Sequence, residues 1–193
     1  HNAAIGSFAM QANTTGYRNA AVGAYCLYSN TTSDSNTASG YKSMFDNTTG
    51  SNNTAYGTNS LENNTTGGTN TASGYASLRA NTTGSNNTAL GCQSLKNNTD
   101  GYNNTASGYK ALQVNTTGIR HTSSGAYSLN ANTTGVYNTA FGHQALEVNT
   151  TGSTNTGIGY QALSTTSTGS NNTGIGFQAY ASSATVSNEI TLG

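Results

Sequence analysis

The chain has 193 residues, and its six basic and six acidic side chains cancel, which leaves no net field to draw in a phosphate backbone or an anionic bilayer. Charged residues reach only 6%, against 28 Asn, 34 Thr and 24 Gly with no Pro, so the chain must either satisfy its polar groups in a repeated pattern or stay disordered. No apolar run is long enough to span a bilayer, and two cysteines in different contexts, Cys26 and Cys92, are too few for a disulfide framework.

The first stretch, HNAAIGSFAMQANTTG, already belongs to a repeat and does not read as a signal peptide, so any export is expected to use a segment outside this sequence. Glycine then recurs at Gly6, Gly23, Gly40, Gly57, Gly74, Gly91, Gly108, Gly125, Gly142, Gly159, Gly176 and Gly193, in unbroken steps of 17. Written from a second glycine the unit is G-x-x-N-T-A-x-G-x-x-[AS]-L-x-x-N-T-T, as in Gly50 to Thr66. Such fidelity is the mark of stacked supersecondary units. Gly, Asn and β-branched residues interrupt every unit, which argues against helix. Two short β segments per unit are expected, N-T-A-x-G and x-x-[AS]-L-x, with N-T-T-G turning between them. At about 4.8 Å between strands, eleven coils make an all-β parallel β-solenoid, or β-roll, roughly 50 Å long.

Constancy and size select the core: Ala21, Ala38, Ala55, Ala72, Ala89, Ala106 and Ala140, with Leu27, Met44, Leu61, Leu78, Leu95, Leu112, Leu129, Leu146 and Leu163. The residue before the invariant glycine runs Ile5, Val22, Ser39, Tyr56, Ser73, Leu90, Ser107, Ser124, Phe141, Ile158, Ile175, too varied for one dry interior. NTASGY recurs every 34 residues at 36–41, 70–75 and 104–109, which leaves a two-unit turn open beside the expected one-unit turn. So thin a core predicts hydrogen-bonded Asn and Thr ladders inside, or association into a homotrimer or longer filament. Residues 1–193 read as one solenoid domain, expected to be a segment of a longer fibre, with 177–193 a divergent coil in which Tyr180 replaces Leu.

The units NAAIGSFA (2–9), NAAVGAYC (19–26), NTGIGYQA (155–162) and NTGIGFQA (172–179) resemble the head repeats of trimeric autotransporter adhesins and related phage tail-fibre repeats. The 17-residue period and the N-T-T-G turn depart from the shorter adhesin-head unit. The resemblance implies a left-handed coil, trimerisation, and a fibrous protein on a cell or virion surface that touches a host, a matrix or a sister fibre.

Little points to catalysis, which needs unlike groups convergent at one place. His1, His121 and His143 occupy different phases, and Asp34, Asp46, Glu62, Asp100, Glu147 and Glu189 are scattered, so no metal site and no cofactor is expected. Asn13, Asn30, Asn47, Asn64, Asn81, Asn115, Asn132 and Asn149 of N-T-T read first as a stacked amide ladder and second as glycosylation acceptors, among fourteen N-x-[ST] triplets in all. Periodic Thr could instead bind ice or a crystalline polysaccharide if two parallel columns faced outward. Tyr41, Tyr75, Tyr109 and Tyr160 share a phase and could pack between chains or against host or matrix glycans. The expected function is a non-enzymatic extracellular filament or surface adhesin acting through a repetitive rod surface.

Overall fold

A computed structural model describes all 193 residues, His1–Gly193. The chain is a parallel β-solenoid with one three-residue strand per coil: β1 (Ala3–Ile5), β2 (Ala20–Val22), β3 (Thr37–Ser39), β4 (Thr54–Tyr56), β5 (Thr71–Ser73), β6 (Thr88–Leu90), β7 (Thr105–Ser107), β8 (Thr122–Ser124), β9 (Thr139–Phe141), β10 (Thr156–Ile158), β11 (Thr173–Ile175) and β12 (Ile190–Leu192). The strands form a single sheet in sequence order. Thr54 pairs with Thr37 on one side and with Thr71 on the other, so each turn consumes one 17-residue unit and the two-unit alternative is excluded.

Within each strand the side chains alternate. Thr54 lies half-buried, Ala55 points inward with no exposure, and Tyr56 faces out. The 34-residue alternation therefore belongs to the outer surface and says nothing of the path of the coil. The glycine that follows each strand turns the chain at φ between 122° and 142°, from Gly6 to Gly176. A Cβ on Gly74 would sit 2.6 Å from the carbonyl carbon and oxygen of Gly91 in the next coil. Conformation and close approach together demand glycine here.

The second expected strand does not form. The x-x-[AS]-L-x segment is a run of turns in which Leu27, Leu61, Leu78, Leu95, Leu112, Leu129, Leu146 and Leu163, with Met10 and Met44, sit at φ between 48° and 52°. The left-handed conformation costs about 1–2 kcal/mol for an L-residue, while burying a Leu side chain returns about 1.5–3 kcal/mol. Neighbouring coils settle the balance. Tyr25 donates its N–H back to Ser7 O at 2.9 Å and Leu27 donates forward to Ser43 O at 3.0 Å, so the alternating conformations aim backbone donors at both neighbours.

The interior is thin. Every Ala and Leu or Met expected in the core, from Ala21 to Leu163, is at most 1% exposed. A third inward column beside Leu is made of small residues, among them Cys26, Ser43, Ser60, Ala111 and Ala145. Asparagine fills the rest.

Candidate interaction surface

The N-T-T asparagines form one continuous ladder. Asn30 Nδ2 donates to Asn13 Oδ1 at 2.8 Å, and the relation repeats coil by coil to Asn149 on Asn132 at 3.0 Å. The same amides close their own turn, as Asn64 Nδ2 does on Gly67 O at 2.9 Å. Asn30, Asn47, Asn64, Asn81, Asn115, Asn132 and Asn149 are wholly buried, and Asn13 is half-buried with its amide on Gly16 O. A glycan on Nδ2 at these positions would replace a ladder donor with a bulky polar group inside the coil. Of the fourteen triplets, those with an exposed Asn are at Asn52, Asn86, Asn97, Asn103 and Asn171.

A second asparagine column escaped the sequence reading. Asn36, Asn53, Asn70, Asn87 and Asn104, the Asn of N-T-A, are fully buried too. Each accepts the backbone N–H of its counterpart in the next coil, as Asn36 Oδ1 does from Asn53 N at 2.9 Å, and donates to a glycine carbonyl of that coil, as Asn53 Nδ2 does to Gly67 O at 2.9 Å. The recurrence of Asn at this phase, in every coil but those of His121 and Glu189, was the available signal; assigning it to the strand face concealed it.

His121 stands in this second column and reproduces its bonding. Its Nδ1 accepts the Asn138 backbone N–H at 3.1 Å, and its Nε2 lies 2.7 Å from Gly135 O, which fixes the proton on Nε2. Burial lowers its pKa to about 4, against the smaller opposing pull of the Gly135 carbonyl. His143 is exposed and stacks on Tyr160, so the two histidines form no pair. Cys26, buried against Ala38 O, has its thiol pushed up to about 11 by desolvation. Burial, and then Glu62, raise the Asp46 carboxyl, while Glu62 itself pairs with Arg79 at 2.7 Å.

The outer surface carries three kinds of column. In N-T-T the first Thr is tied down, Thr65 Oγ1 donating to Thr82 O at 3.0 Å, while the second, such as Thr66 or Thr83, is exposed. The strand Thr column lies beside the varied column that includes Tyr56, Leu90 and Phe141. Neither place offers two adjacent outward Thr columns, the arrangement expected for ice binding.

Aromatic side chains gather on the edge after the glycine. His143, Tyr160 and Phe177 stack at 5.6 and 5.3 Å with planes within 12° of parallel, and Phe8 stacks on Tyr25 at 5.1 Å. These stacked rings use their faces internally, so a sugar laid on them would meet mostly ring edges, whereas Tyr75 is exposed and stacks on no other ring. Lys42 and Lys110 lie over Tyr41 and Tyr109 at 5.7 and 5.3 Å and cover them further.

The third surface feature is the outward strand column. Ile5, Val22, Tyr56, Leu90, Phe141, Ile158 and Ile175 run in one line along the rod, each between 40% and 67% exposed. There is no concave pocket, no cluster of three His, Cys, Asp or Glu side chains, and no helix long and apolar enough to cross a membrane. No known family profile, curated protein or solved structure matches the chain. What stands is an all-parallel β-solenoid of 17-residue period, a fold consistent with a fibrous structural protein.

Proposed function

We propose that the chain is a non-enzymatic structural rod of an extracellular filament or surface adhesin, on a cell or virion, and that copies associate side by side through the outward strand column. The observation that carries this reading is the outward column from Ile5 to Ile175, in which seven of eleven positions are exposed apolar side chains and Ser39, Ser73, Ser107 and Ser124 take the other four, with a half-buried Thr column beside it through most of the sheet. Isolated exposed apolar residues need no explanation, but an aligned row is what an association surface requires. Lateral packing would also thicken the thin core of a lone coil. Multivalent contact along such a rod raises total adhesion without any deep pocket.

The test is the chain count of the native assembly by sedimentation equilibrium, beside the variant Leu90→Glu/Phe141→Glu. A wild-type trimer or larger assembly that the double variant reduces to monomer supports the reading. Monomeric wild-type protein at tens of micromolar, or a variant that assembles as the wild type does, rejects it.

A further inference from the structure

Each coil offers five things to the coil that follows it. A Leu packs forward, and the N-T-T Asn presents Oδ1 to the next amide, as Asn64 does to Asn81 at 2.7 Å. The first Thr donates Oγ1 to the next carbonyl, as Thr65 does to Thr82 O. A glycine keeps Cβ out of the next carbonyl's way; on Gly67 it would meet Gly84 O at 2.3 Å. The N-T-A Asn both accepts a backbone N–H and donates to a carbonyl of the next coil.

Residues 177–193 withdraw all five. Tyr180 stands at the Leu phase, Ser183 at the first Asn, Ala184 at Thr, Val186 at glycine and Glu189 at the second Asn. The backbone changes with them: ten successive Leu or Met residues hold positive φ from Met10 to Leu163, and Tyr180 does not. Its phenol instead donates outward to Gln161 Oε1 at 3.1 Å. The Glu189 carboxylate turns onto Ser182, accepting from its N–H at 3.0 Å and its Oγ at 2.9 Å, and an ionised carboxylate has no proton to give a following carbonyl. One coil earlier, Thr166 already replaces Asn, with its hydroxyl buried and unpartnered, so the amide ladder ends at Asn149.

Towards the preceding coil the same residues behave normally. β12 pairs with β11, Glu189 N–H donates to Asn172 Oδ1 at 3.0 Å, and Val186 O accepts Asn172 Nδ2 at 2.8 Å. We infer that residues 177–193 are a stop coil, which accepts the coil before it and refuses a further 17-residue coil, whether from a second copy of this chain or from repeats joined in phase. Ser33 is the one earlier departure in the glycine column, and it contacts Asn30 Oδ1 closely while every other phase of its coil stays regular. The withdrawal of all five together is confined to 177–193. Growth of an assembly would then be lateral, and the length of each solenoid fixed by its own sequence.

The experiment is an in-phase tandem fusion in which Gly193 is followed directly by Ser7 to Gly193 of a second copy, since Ser7 carries the next phase of the period. Negative-stain images of this fusion should show two rods meeting at variable angles, and brief proteolysis should cut at the junction. The same fusion carrying T166N, Y180L, S183N, A184T, V186G and E189N in its first copy should give one straight rod of double length. A straight, protease-resistant rod from the unmodified fusion overturns the inference, whether or not the restored variant folds. So does a restored fusion that folds and keeps the same spread of angles.

Discussion

Lowering the pH should loosen the solenoid at one coil, where His121 replaces an asparagine of the second buried column. The folded pKa of about 4 lies below the ordinary 6.5, so the neutral ring is fully compatible with the fold above pH 6.5 and stability is lost as pH falls towards 4. Linkage between those two values gives a loss of about 2 kcal/mol between pH 7 and pH 5, rising to about 3 kcal/mol at pH 4. A second ring proton would sit on Nδ1, facing the Asn138 backbone N–H, while Nε2–H already points at Gly135 O with Asn132 Nδ2 at 3.2 Å. No carboxylate is bonded to the ring to receive the charge. The assay is hydrogen-exchange mass spectrometry over the coils around residues 104–138, with thermal melts, for wild type and His121→Asn at pH 7 and pH 5. His121→Asn restores the column residue and should remove the local part of the pH dependence, leaving only what scattered carboxylates contribute to both proteins. Equal losses in the two proteins between pH 7 and pH 5 would refute the reasoning.

Asn81→Ala leaves Asn64 Oδ1 and one amide hydrogen of Asn98 without a partner in the interior, while Gly84 O keeps Asn70 Nδ2 and Asn98 Nδ2 keeps Gly101 O, and should cost about 1–3 kcal/mol by denaturant melting. Gly74→Ala forces a Cβ against the Gly91 carbonyl at a φ of 134° and should prevent the neighbouring coils from stacking, read as loss of protease resistance around residues 70–95. Replacing Leu78, Leu95 and Leu112 with Asp places three carboxylates in fully buried sites and should collapse the rod; unchanged melting and morphology would reject the core assignment. Expression in a host that glycosylates Asn, followed by glycopeptide mapping of the folded protein, should find any glycan at exposed Asn52, Asn86, Asn97, Asn103 or Asn171 and none at Asn64 or Asn81.

The period of the glycines by itself determined that units stack, and the spacing of Ala and Leu determined which side chains are interior, because a residue constant through every coil meets the same surroundings in each. The sequence also carried the N-T-T ladder, since Asn beside a turn glycine has few other uses in so uniform a pattern. Three matters were left to tertiary structure. Leu looked like a strand residue, yet it takes a left-handed conformation at φ near 50°, because hydrogen bonds to two neighbouring coils and a buried side chain outweigh a local preference. The N-T-A Asn looked like a strand-face residue, yet its amide bridges one coil to the next, a relation between residues 14 and 17 apart that no local window contains. The N-x-[ST] triplets at Asn30 and Asn64 were legible as motifs, but whether an amide faces solvent or the coil interior depends on where the chain lies in space, and here stacking places those amides inside.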